Sequence, residues 1–205
     1  MNNTSWSVET KKVFNGILLF SLAWIAYGIF SPIESLFSGV STLSSFAGSP
    51  DVTGGAGTVL SIIIYLLLIG IGVGYVLTII GLKKFSAILE SADGKAVSSV
   101  RTAFILALIA VVLDVLPLIP GIIGDILYLI AIILMLVGYS TLKGSSTFAG
   151  KDGASTLFVA MILILVGWVL DFIPFVGDWI EAVLTIVAYI LTLVGWGKIK
   201  NAAVA

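Results

Sequence analysis

Six long apolar runs, parted by short polar clusters, organise this chain of 205 residues: 13–33, 58–82, 100–116, 122–142, 156–173 and 179–199. A helix of about 20 mostly apolar residues crosses a bilayer. The pattern therefore predicts an all-α integral membrane protein with six transmembrane helices in a single membrane domain. Runs three and five are short: at about 1.5 Å per residue they reach only about 26 Å of a hydrocarbon layer about 30 Å thick. They must continue past their prolines or thin the bilayer. Lys11 and Lys12 precede the first run and no small-residue cleavage site follows it, the pattern of a retained signal anchor. The segment 38–57, rich in Ser and Gly with one proline, reads as a loop.

The polar residues between the runs repeat. Shifting the chain by 57 residues aligns 101–143 with 158–200 without a gap, identical at 17 of 43 positions. Asp114 falls on Asp171, Pro117 on Pro174, Gly138 on Gly195 and Lys143 on Lys200. Hydrophobic bias alone would not align an acid, a proline and a glycine together. The same shift carries Gly81 onto Gly138, and twice the shift lays Tyr75-Val-Leu-Thr-Ile-Ile-Gly81 on Tyr189-Ile-Leu-Thr-Leu-Val-Gly195. The first run is the weakest partner, with Phe30-Ser-Pro32 opposite Phe172-Ile-Pro174. The expectation is three helical hairpins, at about 13–86, 100–143 and 156–200. Each unit holds two spans, so the copies are parallel repeats about an axis along the membrane normal, not inverted ones. In plan this resembles the mitochondrial carriers, but the carrier signature of proline, acid and base ending the odd helices is absent.

Charge then orients the hairpins. All ten basic residues lie before run 1, between runs 2 and 3, between runs 4 and 5, or after run 6, Arg101 and Lys198 standing at the very ends of the adjoining runs. The positive-inside rule makes that face cytoplasmic, with both termini. The opposite face holds Glu34, Asp51, Asp114, Asp125, Asp171, Asp178 and Glu181 with no base, and 38–57 becomes an outer loop. The expected home is the cytoplasmic (inner) membrane.

Composition narrows the chemistry. With 60 % hydrophobic and 10 % charged residues there is too little polar surface for a water-soluble globule, which carries about 25 % charged residues. No histidine and no cysteine are present, which removes imidazole bases, thiol nucleophiles, disulfides and the His/Cys ligand sets of zinc, haem and iron–sulfur sites. No phosphate loop or nucleophile elbow occurs. Gly121-Ile-Ile-Gly124-Asp125 misses the Gly-x-Gly-Asp pattern of intramembrane aspartyl proteases by one residue, and a dyad needs a second carboxylate sharing its proton. The sequence expects no enzyme, no cofactor, no metal and no nucleic-acid partner.

A few residues remain. Gly70 and Gly74 form a small-xxx-small pair, and with Gly81, Gly138 and Gly195 they are read as close helix contacts. Asp125, Asp178 and Glu181 begin even-numbered helices and are read as caps of free backbone N–H groups. Asp114 and Asp171 instead end odd-numbered helices, where a carboxylate meets the negative end of the dipole, making them the candidate polar site. Trp24 and Trp168 lie deep in their runs and are read as core packing ahead of a ligand-facing aromatic wall. No charge falls at mid-membrane, where coupled transporters place their ligands. The sequence therefore favours a structural or accessory subunit binding lipids, a membrane protein partner or a second copy of itself. A small channel or secondary transporter for a cation or small solute is the other reading.

Overall fold

A computed structural model describes residues 3–46, 54–114, 121–170, 173 and 177–203, with side chains over 4–42, 55–113, 122–170, 173 and 180–203. It is all-helical: α1 Asn3–Phe46, α2 Gly54–Ala87, α3 Ser91–Asp114, α4 Gly121–Gly144, α5 Lys151–Leu170 and α6 Gly177–Lys200. Each is long and apolar enough to cross a membrane, which suggests a multi-pass membrane protein. In such a setting every backbone group must bond within its helix. The hydroxyls obey the same constraint: Thr78 donates to the Gly74 carbonyl at 2.8 Å and Thr192 to that of Ala188 at 2.8 Å.

The two short runs gain their length at the ends opposite their prolines. The third starts at Ser91 and has 24 residues, about 36 Å; the fifth starts at Lys151 and has 20, about 30 Å. The added turns are polar, because residues without apolar character still propagate a helix that packing supports.

The loop expected at 38–57 is corrected in the same way. Helix α1 runs through Pro32 to Phe46 and α2 begins at Gly54, leaving only 47–53 outside the described residues. Pro32, whose ring removes the N–H that would bond the Gly28 carbonyl, is exposed, and so is Gly28. Beyond it Thr42 bonds the Ser38 carbonyl at 2.8 Å, and Ser61 of α2 donates to Glu34 Oε1 at 3.0 Å, tying the two helices together.

Each helix packs on the one before and the one after it, and α6 returns to α1, so the six close a ring in chain order. Contact is most extensive within α1–α2, α3–α4 and α5–α6. At the basic end the Trp6 indole N–H donates to the Ile199 carbonyl at 2.9 Å, joining the first helix to the last. Trp6 also meets Phe85 edge-on at 5.1 Å and Phe148 at 5.5 Å. Thr147, in the connection between α4 and α5, donates to the buried Asp93 of α3 at 2.7 Å.

Positions related by the 57-residue shift are buried alike. Leu82, Tyr139 and Trp196 form one such set, and Tyr75, Ile132 and Tyr189 another. A Cβ added to Gly81 would lie 2.9 Å from Val13 Cγ2, one on Gly138 2.6 Å from Val100 Cγ2, and one on Gly195 2.7 Å from Leu157 Cγ. These contacts set α1 against α3 at an offset of 87 residues, two residues away from the matching of Phe30-Ser-Pro32 with Phe172-Ile-Pro174. The tripeptide resemblance follows the prolines, whereas the packing follows the glycines.

Candidate functional site

Around the ring axis the helices meet through aromatic rings. Phe20 stacks on Tyr75 at 4.9 Å and meets Phe104 at 5.7 Å and Tyr189 at 6.1 Å. Among them is a void of about 30 Å³ lined by residues of all six helices, room for one or two water molecules. Below it, towards the basic end, the rings of Phe85, Phe148, Trp6 and Trp196 fill the interior.

Towards the acidic end the axis opens into a cavity of about 200 Å³. Tyr128, Ile164 and Tyr189 line both spaces and so form the boundary between them. The walls are apolar and aromatic: Trp24 of α1, Ala110 and Val111 of α3, and Trp168 of α5. Trp24 lies parallel to Tyr189 at 6.4 Å, tilted by 12°. Its indole N–H is buried and has no hydrogen-bond partner among the described residues. Tyr128 and Tyr189 stand side by side at this boundary.

Charge enters this cavity from two helices. Glu181 of α6 is half-buried, accepts a hydrogen bond from Thr185 Oγ1 at 3.2 Å, and rests its stem 3.6 Å from where a Cβ on Gly167 would stand. Asp125 of α4 is exposed at the rim. Among the described residues no lysine or arginine lines the cavity. Two carboxylates in a low-dielectric, aromatic-walled recess attract a cation and disfavour an anion. Among the described residues no three Asp or Glu side chains converge as a metal site would need.

The expected site residues distribute as follows. Asp114 is the last residue of α3 with its side chain outside the description, and Asp171 lies outside the described residues altogether. Asp178 is the second residue of α6, its side chain likewise outside. Asp125 and Glu181 each stand fifth in their helices, a turn past the place a capping carboxylate takes, and both reach the cavity. Gly74 faces Phe20 backbone, where a Cβ would lie 2.6 Å from the amide nitrogen, while Gly70 makes an ordinary 3.6 Å approach to Ala23. Gly16 and Gly153, which sequence reading passed over, are as tightly placed, against Thr78 and against the Gly195 carbonyl.

Sequence reading also passed over Tyr128, Thr185 and Tyr189. A signal existed: at the structural offset Trp24 and Trp168 occupy corresponding positions of two hairpins, a coincidence apolar packing does not require. In comparisons with known proteins the chain matches no family model, and no curated protein or solved structure matches it either.

Proposed function

We propose that the protein is a non-enzymatic, multi-pass membrane protein that takes a small cationic solute into the cavity at its acidic end, acting as a small secondary transporter. The single observation carrying this reading is the cavity's position: on the ring axis, lined by five of the six helices, acidic, and separated from the other face by packed aromatic and aliphatic side chains. This reading draws the three hairpins as parallel repeats around that axis in a cytoplasmic membrane, with both termini and all ten basic residues cytoplasmic. Equivalent contacts support the arrangement. Lys143 stands 3.7 Å over the Phe158 ring of the next hairpin, and its repeat partner Lys200 stands 4.4 Å over Phe14. With the acids outside, a membrane potential negative inside pulls a cation down the axis at about 2.3 kcal/mol per charge for each 100 mV.

The filled axis favours a second reading, an accessory subunit that binds a solute, a lipid or a membrane protein partner and conducts nothing. Reconstituted liposomes separate the two. Saturable, potential-driven uptake of a radiolabelled cation, lost in Glu181→Gln, is the result expected of a transporter. Uptake equal to that of protein-free liposomes across a panel of alkali and organic cations overturns transport and leaves the accessory reading.

A further inference from the structure

We infer that the cavity at the acidic end is built for an organic ammonium ion, a compact quaternary or tertiary ammonium group, and not for a bare metal cation. The inference rests on the solute-binding reading above and narrows it to a chemical class.

Size is the first argument. About 200 Å³ is several times the space one water needs, and a bare alkali ion would have to be held there by a shell of waters. An ammonium carrying three or four methyl-sized groups enters such a space whole and leaves part of it to water. Wall chemistry is the second. Trp24, Trp168, Tyr128 and Tyr189 line the space, and aromatic rings attract quaternary ammonium through the negative potential of their faces. A hard metal ion needs six or so oxygen ligands. Among the described residues the lining carboxylates are two, Glu181 and Asp125, too few for such a shell.

Charge balance is the third argument. Glu181 enters from α6 with a hydroxyl already donated to it by Thr185, so its negative charge is held in place at the wall. Asp125 stands at the exposed rim, where it draws cations towards the mouth. With no base along the lining, an incoming monocation is attracted by both. A ligand whose charge is spread over methyl groups carries less hydration than a metal ion or a primary ammonium, so it loses less on entering an aromatic recess.

The experiment is equilibrium binding to the purified full chain in detergent, read by tryptophan fluorescence and by calorimetry at constant ionic strength. Tetramethylammonium and choline are titrated against sodium and against tert-butanol, a neutral molecule of similar shape. Saturable binding of tetramethylammonium is expected, about tenfold or more weaker in Glu181→Gln and less affected in Asp125→Asn, with melting temperatures unchanged. Trp168→Leu tests the ring surface separately and should weaken tetramethylammonium while leaving tert-butanol as it was. Equal binding of tert-butanol overturns the inference, since the cavity would then be merely apolar. Full competition by millimolar sodium, or undiminished binding in Glu181→Gln, overturns it as well. The two readings fail separately. Ammonium binding without uptake in liposomes removes the transporter and keeps the ligand, whereas uptake of alkali cations without ammonium binding keeps the transporter and removes the ligand.

Discussion

At the scale of single residues, glycine decides how close the helices come. Gly74 and Gly72 are two residues apart in α2, yet only one faces a partner. A Cβ on Gly74 would lie 2.6 Å from the Phe20 amide nitrogen, a backbone atom that cannot step aside, whereas nothing stands within 4 Å of one on Gly72. Gly74→Ala should therefore cost about 1–3 kcal/mol, the usual penalty of overpacking. Gly72→Ala should be neutral or stabilising by under about 1 kcal/mol through helix propensity. Melting in detergent checks the pair, and equal losses would show that close packing is not what Gly74 serves. The spacing of Gly70, Gly74 and the repeated Gly81, Gly138 and Gly195 was legible in the chain. Gly16 and Gly153 were not, because each answers a partner on another helix and no local pattern points at them. Glu181 shows the same limit: its position near a helix start reads as a cap, and only packing against Gly167 and bonding to Thr185 turn it to the cavity.

Among elements, the apolar runs located all six helices, while their ends were decided elsewhere. A hydropathy pattern reports where a chain can meet lipid, and helices α3 and α5 extend beyond that into residues such as Asp93, Lys95 and Asp152. Helix α1 continues through Pro32 with its neighbour α2 packed alongside. Closure of the ring rests on α1 meeting α6, where Trp6 is buried and bonded to the Ile199 carbonyl. Trp6→Ala should cost about 3–5 kcal/mol, the range for a large aromatic emptied from a core. Trp6→Phe should lose only about 1 kcal/mol, mostly the indole hydrogen bond, since the Ile199 carbonyl still accepts from the Ala202 N–H at 3.2 Å. The order of the two, read by thermal melting, is the point to measure. Wild-type stability in Trp6→Ala would mean that the first helix is not needed to close the ring.

For the whole molecule, the segregation of charge makes a prediction about sidedness. The chain has no cysteine, so single replacements give a clean background. Ser38→Cys, exposed on the extension of α1, should react with an impermeant thiol reagent added outside intact cells. Ser91→Cys and Ser146→Cys, exposed at the basic end, should react only after the cells are permeabilised. Labelling of Ser91→Cys and Ser146→Cys from opposite sides would break the six-span topology, and a full reversal would break the orientation.

What the sequence determined by itself is what local chemistry and repetition carry: six apolar helices, their approximate positions, the sorting of acids and bases between two faces, and the kinship of residues 101–143 with 158–200. These follow from the length of apolar runs and from charge, which act on each segment without knowledge of the others. Tertiary structure decided the closed order of the ring, the two-residue shift of α1 against its partners, and the cavity that joins Trp24 to Trp168 and Glu181 to Asp125. Those residues come from four different helices, and a space between helices exists only once their packing has set how far apart the backbones stand.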